Sequence, residues 1–92
     1  MNKVLITGVG GDIGQSIAKI IKRELTEYII YGTDVHSRHA GKIITDKFFI
    51  SPYATKENYI SSLLSKIDKY EIKFLIPTNE FEIKKINESL FL

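Results

Sequence analysis

The chain has 92 residues, and its composition, with 43% hydrophobic and 26% charged residues, is ordinary for a globular domain. This length allows one domain, and the composition excludes disordered, collagen-like and membrane-spanning classes of protein. The 13 basic and 11 acidic residues are interleaved and leave a net charge of +2, so we expect no nucleic-acid partner. Because the chain has no cysteine, disulfides, zinc–thiolate sites and a cysteine nucleophile are excluded.

The first strand is predicted at residues 4–6, a continuous apolar run that ends in turn glycines. This run is too short for a signal peptide, so we expect a cytoplasmic protein with no membrane partner. Residues 12–25 are predicted as a helix, and residues 28–34, rich in β-branched and aromatic side chains, as a second strand. The helix is assigned a core-facing stripe of four isoleucines at helical spacing, Ile13, Ile17, Ile20 and Ile21.

The middle of the chain predicts a loop, a strand and a helix. Residues 35–46 mix polar and glycine positions and indicate a loop with one short helical turn. Residues 48–50 form a third apolar run, which Pro52 ends because proline cannot donate to a central ladder. Thr55 is typical of an N-cap, and apolar positions at helical spacing predict a helix over residues 56–69.

The C-terminal part predicts a fourth strand at residues 74–76 and a closing helix. Asn79 and Glu82 have the spacing of a capping box at the start of that helix. We expect the tyrosines and phenylalanines of the chain to lie in the core. The apolar face of the closing helix is assigned to Phe81, Ile86 and Leu90.

Strands that alternate with helices through short connections predict a parallel sheet with right-handed crossovers. We therefore expect an α/β fold, a three-layer Rossmann-like domain over residues 1–92 with about four strands in the order 3-2-1-4 and helices on both faces. The order reverses between the first and fourth strands. Ligands bind at such a point, so the loops of residues 7–14 and 77–82 are the predicted binding loops.

The glycine-rich turn after the first strand is the most informative segment. Gly8 and Gly10 are predicted to adopt backbone angles denied to other residues, Gly11 to leave room for a ligand, and Gly14 to let the helix pack closely on the sheet. Asp34 stands where dinucleotide folds hold a ribose hydroxyl. The strict dinucleotide spacing fails, because its third position is isoleucine. The alternatives are a tight strand-to-helix reversal for the glycines and a turn residue for Asp34.

Two other groups of polar residues have a structural and a functional interpretation. Glu80 and Glu82 form a carboxylate pair beside the glycine turn, where they favour the helix dipole or contact a ligand. His36 and His39, with a nearby aspartate, have the residue types of metal ligands. The loop around them does not indicate a convergent cage, so we predict solvated histidines and no metal site.

Taken together, the segments VLITGVGGDIGQSIAKIIK, DKFFISP and FLIPTNEFEIKKI, with Asp34 ending the second strand, resemble the N-terminal domain of ATP-grasp enzymes. The likeness is greatest to the carbamoyl-phosphate-synthase-like and carboxylate–amine ligase branch, and it covers nearly the whole chain. It implies the substrate-side lobe of a ligase that activates a carboxylate as an acyl phosphate and transfers the acyl group to a nucleophile such as an amine, with release of phosphate. ATP and magnesium would bind to later domains. We therefore expect a fragment that binds no cofactor itself and is inactive alone.

The same resemblance implies which residues contact a small-molecule acceptor substrate. Glu80 or Glu82 would bind a substrate ammonium, since a charge-assisted hydrogen bond suits an amino group. Further partners would be the downstream ATP-grasp domains or, through the surface they cover, a second copy of the chain. The implied acceptor-binding residues are Gly8, Gly10, Gly11, Asp12, Thr78, Asn79, Glu80 and Glu82.

Two alternative functions belong to other classes. The first is an NAD(P)-binding fragment of a short-chain reductase or epimerase, in which Gly8, Gly11, Gly14 and Asp34 would bind the nucleotide. Against it, the fourth strand ends in Ile-Pro-Thr-Asn-Glu, whereas such enzymes resemble one another in a small-residue ending there. The second alternative is a non-catalytic nucleotide-sensing module.

Overall fold

Strands and helices alternate along residues 2–89, the part of the chain that the computed structural model describes. Among these residues no helix combines the length and the apolar character needed to cross a membrane. The elements in chain order are β1 (Lys3–Thr7), α1 (Asp12–Glu24), β2 (Ile29–Asp34), α2 (Gly41–Ile44), β3 (Lys47–Ile50), α3 (Tyr59–Lys69), β4 (Phe74–Ile76) and α4 (Glu80–Ser89).

The four strands form one parallel sheet in the order β3-β2-β1-β4, which confirms the predicted fold class and strand order. In the register, Leu5 of β1 lies between Tyr31 of β2 and Leu75 of β4. Because β1 has a strand on each side and helices over both faces, its side chains have no exposed direction. This position explains the continuous apolar run that replaces the alternation of a half-exposed strand.

Two hydrophobic clusters pack on opposite faces of the sheet, as expected for three layers. The first lies under α1, and its buried members are Val4, Ile6, Val9, Ala18, Ile21 and Ile30. The second lies under α3, where Ile86 of α4 also packs, and its buried members are Leu5, Tyr31, Tyr59 and Leu63. Side chains of β1 alternate between the two clusters, so this strand joins both cores.

The core-facing stripe of α1 differs from the predicted one. Gly14, Ala18 and Ile21 are buried against the sheet, whereas Ile13 is 63% exposed and Ile20 50% exposed. The small residues Gly14 and Ala18 let the helix axis approach β1. In this orientation of the helix, two of the four isoleucines face outward. The predicted isoleucine face is therefore wrong in half of its members.

Helix α3 begins at Tyr59, three residues after its predicted start, and Thr55 is not its N-cap. Two successive turns precede the helix, closed by the Lys56 N–H on the Tyr53 carbonyl (3.0 Å) and by the Tyr59 N–H on the Lys56 carbonyl (3.2 Å). These bonds satisfy backbone groups that a longer helix would have used. The delayed start makes Tyr59, with a fully buried side chain, the first helical residue.

Helix α4 buries a glutamate in place of the predicted phenylalanine. Phe81 is 74% exposed, Glu82 is 8% exposed, and Ile86 packs in the second cluster, while Leu90 lies outside the described residues. Tyr53 (61% exposed) and Phe74 (48% exposed) also contradict the expectation that the aromatic residues lie in the core. The buried Tyr59 hydroxyl gives Glu82 a hydrogen-bond partner in the core, as described below. This contact outweighs the hydrophobic gain of burying Phe81 instead.

Candidate functional site

The two loops predicted to bind a ligand meet at the carboxyl ends of β1 and β4. The Thr78 hydroxyl lies 2.6 Å from the Thr7 carbonyl oxygen, to which it donates, and 3.2 Å from that of Gly8. These contacts join the glycine turn to the loop after β4, so the two loops form one cleft at the switch point of the sheet. This glycine-turn cleft is lined by Gly8, Gly10, Gly11, Asp12, Ile13, Gly14, Asp34, His36, Thr78 and Asn79.

Three glycines of the turn are required by the fold itself. Gly8 has a φ of +66°, a conformation that favours glycine. A Cβ added to Gly14 would lie 2.5 Å from the Gly8 carbonyl oxygen, so close helix packing depends on this position. Gly10 was predicted to need an unusual backbone angle, but its φ is not positive, and the requirement is one of space. An added Cβ would lie 2.5 Å from the His39 ring and 2.6 Å from the Asp34 carboxylate.

Gly11 differs from the other glycines of the turn. Its φ is −81°, which any residue can adopt, and an added Cβ would lie 3.5 Å from its nearest neighbour, an ordinary van der Waals contact. The residue is exposed at the N-cap of α1. The fold therefore accepts a side chain here, and a glycine leaves the mouth of the cleft open.

Asp34 turns its carboxylate toward the glycine turn and closes it. One oxygen accepts the Gly10 N–H at 2.8 Å, and the other accepts the Val35 N–H at 2.7 Å. The Val9 and Gly11 amides are also used within the protein, bound to the carbonyls of residues 33 and 8. Three successive amides of the turn are therefore unavailable to a phosphate, and the carboxylates of Asp12 and Asp34 line the same cleft.

The two glutamates after β4 have different surroundings. Glu80 is exposed, whereas the Glu82 carboxylate is buried and accepts hydrogen bonds from the Tyr59 hydroxyl and from Nδ2 of Asn79, the latter at 2.5 Å. Oδ1 of Asn79 in turn accepts the Glu82 N–H at 2.9 Å, so the cap predicted at Asn79 is present. The second half of the predicted capping box is altered, because Glu82 binds the side chain of Asn79.

Burial dominates the titration of the Tyr59–Glu82 pair. It raises the pKa of Glu82 above its ordinary value, hydrogen bonds from Tyr59 and Asn79 oppose this shift, and the negative charge of Asp34 adds to it. Burial and the adjacent carboxylate also raise the pKa of Tyr59. The Thr7 hydroxyl is buried and completes no hydrogen bond within residues 2–89, but it lies close enough to lower the pKa of both partners.

The raised pKa of Glu82 predicts a specific pH dependence of stability. A folded carboxyl with a raised pKa binds its proton more tightly than the unfolded one, so its contribution to stability is complete below the unfolded value, 4.5. This contribution is lost as the pH rises from there through the folded value. We expect Glu82→Gln, which cannot ionise, to gain stability relative to the native chain between pH 4 and pH 7, measured by urea unfolding.

Glu80 provides the matched control for this prediction, since it is a glutamate two residues away that is exposed to solvent. Glu80→Gln leaves the buried Tyr59–Glu82 pair intact and should not reproduce the gain in stability of Glu82→Gln over the same pH range. A difference in unfolding free energy between Glu82→Gln and the native chain that is independent of pH would contradict the assigned pKa direction.

A second cavity, of about 320 Å³, lies beside the glycine-turn cleft. Asp34 and Asn79 line both spaces and form their common wall. Sequence reasoning missed this cavity, because its outer wall is the pair of turns before α3, which the pattern assigned to a helix start. Its lining residues are Asp34, Val35, Ser51, Pro52, Tyr53, Ala54, Thr55, Asn79, Phe81 and Glu82.

The two histidines after β2 pack against neighbouring groups. The His36 and His39 rings meet edge to face at 5.2 Å between centroids, and His39 packs on Phe48 at 5.1 Å. A ring nitrogen of His39 lies 2.8 Å from the His36 carbonyl oxygen. Within residues 2–89 no three His, Asp or Glu side chains come together in a group that could hold a metal ion.

The sheet order and the cleft at its switch point define a Rossmann-like domain with a candidate ligand site at the carboxyl ends of the strands. Residues 4–90 match the family described as PylC-like, N-terminal domain. The chain belongs to this family, a family of N-terminal domains of ATP-grasp enzymes. The predicted resemblance to the N-terminal domain of ATP-grasp enzymes is thereby confirmed at the level of this domain.

A solved structure of dTDP-glucose 4,6-dehydratase from Bacillus anthracis, in complex with NAD, is similar to this chain with a TM-score of 0.66 and 14% identity. The match covers 86% of this chain and 27% of that chain, so our sequence spans about a quarter of that enzyme's length. At this identity the similarity concerns the fold. No curated protein matches the sequence.

Proposed function

We propose that the chain is the substrate-side N-terminal lobe of an ATP-dependent ATP-grasp ligase of the carbamoyl-phosphate-synthase-like, carboxylate–amine ligase branch. The ligase would activate a carboxylate as an acyl phosphate and transfer the acyl group to an amine or a similar nucleophile. The observation that carries the proposal is the match of the PylC-like N-terminal domain family over residues 4–90. The cleft between the glycine turn and the loop after β4 supports it, because it offers a wall for an acceptor substrate.

ATP and magnesium belong, in this proposal, to downstream domains. The glycine turn offers few donors to a triphosphate, because its amides at positions 9–11 are bound within the protein. Two carboxylates, Asp12 and Asp34, would also face its negative charges. The lobe alone is therefore inactive and shapes the acceptor site, and a downstream domain is its main partner.

The polar groups of the cleft suit an acceptor with an amino group. Asp12 and Asp34 are carboxylates in the lining of the cleft, where an ammonium would form charge-assisted hydrogen bonds. Glu82 is already bonded to Tyr59 and Asn79, so we assign it a supporting role. Glu80 is exposed but does not line the cleft, so we assign direct contact with the ammonium to Asp12, the exposed carboxylate of the lining. Thr78 and Asn79 provide the neutral part of the wall.

Calorimetric titration of the chain with ATP, NAD and NADP tests the class of protein. We expect no tight binding of any of the three, because the turn amides and the charge of the cleft disfavour phosphates. Micromolar binding of NAD or NADP would overturn the proposal in favour of a reductase or epimerase fragment. Equally tight binding of ATP alone would indicate a nucleotide-sensing module.

A second titration tests the assignment of the cleft. In 1H–15N spectra, millimolar amino acids and small amines are expected to shift the amide signals of Gly8, Gly11 and Thr78. Gly11→Ser should abolish these shifts, because its side chain would occupy the mouth of the cleft. The melting temperature should not change, since serine is a good N-cap residue and the fold leaves room for its Cβ.

The matched control for Gly11→Ser is Asn58→Ser, which places serine at the exposed N-cap of α3. This variant should bind like the native chain. If Gly11→Ser kept the full shifts, or if the shifts lay outside the cleft, the assignment of the acceptor site would be wrong even if the calorimetry agreed with expectation.

A further inference from the structure

A buried chain of hydrogen bonds runs from helix α3 to the cleft. The Tyr59 hydroxyl donates to one oxygen of Glu82, and Nδ2 of Asn79 donates to the other at 2.5 Å. Tyr59 is 1% exposed and Glu82 8% exposed, while Asn79 is exposed at the cleft. We call these three residues the Tyr59–Glu82–Asn79 relay.

Packing alone does not explain a tyrosine at the inner end of the relay. A phenylalanine would fill nearly the same volume in the second cluster without bringing a hydroxyl out of water. Glu82 occupies the third position of α4, where a capping-box glutamate ordinarily turns back to the N-cap backbone N–H. Here its carboxylate turns inward to the hydroxyl, and this contact links α3 to the start of α4.

The outer end of the relay determines the shape of the ligand site. Asn79 belongs to the common wall of the cleft and the second cavity. A Cβ added to Gly8 would lie 3.1 Å from Nδ2 of Asn79 and 3.3 Å from Oε1 of Glu82, so both polar groups pack closely on the glycine turn. A shift of the Glu82 carboxylate would therefore move the Asn79 amide and change the wall.

We propose that Tyr59 is a positioning residue of the cleft, because its hydroxyl holds Glu82 inward and thereby fixes the side-chain amide of Asn79 in the wall. Tyr59 itself is remote from the ligand and acts through Glu82. The use of this wall by a substrate rests on the proposed function. The coupling between α3 and Asn79 does not depend on the proposed function, so it can be tested on the chain without a ligand.

The test is the side-chain amide signal of Asn79 in the 1H–15N spectrum at pH 7, with the exposed Asn58 as internal reference. In the native chain the Asn79 proton bound to Glu82 should lie downfield of Asn58. Tyr59→Phe should move this signal at least halfway to the Asn58 position, because a carboxyl group that loses its buried donor is no longer held inward and turns toward water. The backbone amide of Gly8 should shift with it.

Two variants serve as controls. Tyr70→Phe removes a hydroxyl at the opposite end of α3, from a ring that packs in the same cluster, and should leave the Asn79 signal unchanged. Glu82→Gln retains an amide that can bond both neighbours, so it should also keep Asn79 near its native position. If Tyr59→Phe lowers the melting temperature but leaves the Asn79 signal in place, Tyr59 is a purely structural residue and the proposal is overturned.

A double variant keeps the test decisive if Tyr59→Phe does not fold. Tyr59→Phe combined with Glu82→Gln removes the hydroxyl without leaving an unpaired carboxyl group in the core, and it keeps an amide at position 82 that can still bond Asn79. We expect this variant to fold, with the Asn79 signal moved at least halfway to the position of Asn58. A folded double variant with a native Asn79 signal would show that Asn79 is held without the Tyr59 hydroxyl, which contradicts the proposal.

Discussion

Gly14→Ala is expected to lower the free energy of unfolding by about 3 kcal/mol, at the upper end of the range for overpacking a close-packed interior. The added Cβ would lie 2.5 Å from the Gly8 carbonyl oxygen and 2.8 Å from the Val9 Cα, both of them backbone atoms. Relief requires α1 to move away from β1, which opens the first cluster. Urea unfolding of the native and variant chains measures this loss, and the midpoint should fall without a change in slope.

Gly11→Ala is the matched control, because the substitution is chemically the same and lies three residues earlier. The added Cβ has room in the folded chain. Alanine lowers the conformational entropy of the unfolded chain, which favours folding, but it is a poorer N-cap residue than glycine, and the two effects offset each other. The free energy of unfolding should therefore stay within about 0.5 kcal/mol of the native value. Similar losses for both variants would mean that the glycines of the turn have one common structural role.

Glu82→Ala is expected to lower the free energy of unfolding by about 2 kcal/mol at pH 7. The substitution leaves the buried Tyr59 hydroxyl without its acceptor and Asn79 without its partner, and it opens a small cavity beneath α4. Removal of an ionisable group from the interior offsets part of this loss. Chemical unfolding at pH 7, read by tyrosine fluorescence, provides the measurement.

Glu80→Ala tests whether this loss comes from the buried position or from the helix start. Both glutamates lie in the first turn of α4, where each favours the helix dipole, but Glu80 is exposed. Its substitution should change the free energy of unfolding by no more than about 0.5 kcal/mol. Equal losses for the two variants would assign the effect to the dipole and would contradict the stabilising role of the Tyr59–Glu82 pair.

The glycines of the motif fall into two groups by backbone angle and available space. Gly8, Gly10 and Gly14 satisfy the backbone and packing of the turn, whereas at Gly11 the fold leaves room for a side chain. The motif alone does not indicate a phosphate site, because the Asp34 carboxylate occupies the Gly10 N–H. A fold shared with an NAD-bound dehydratase therefore does not by itself assign a phosphate site to this turn.

The strands and their order could be predicted from the sequence. Residues 4–6 are apolar without alternation because β1 is covered on both faces, and this property is local and visible in the residues themselves. Short connections leave right-handed crossovers as the accessible topology. Among the orders that this allows, the Rossmann-like order β3-β2-β1-β4 was predicted and is present. The two loops predicted to bind a ligand then meet as a consequence of topology, before any side chain is considered.

Helix faces and boundaries were less predictable, because they depend on neighbours. Ile13 and Ile20 have the correct spacing for a core stripe, but the close approach permitted by Gly14 rotates α1 and exposes them. Thr55 has the chemistry of an N-cap, yet the turns closed on Tyr53 and Lys56 delay α3 to Tyr59. Each of these outcomes depends on the packing energy between neighbouring segments, which the local sequence pattern does not contain.

The sequence by itself determined the fold class, the strand order and the two loops of the cleft, because short-range hydrophobic patterns and connection lengths encode them. The roles of the polar residues within that cleft were decided only in the tertiary structure. Glu82 is distinguished from Glu80 by a hydroxyl 23 positions away, and Asp34 closes a turn 24 positions away. Such contacts depend on burial and on the direction of side chains, which arise only when distant segments pack together.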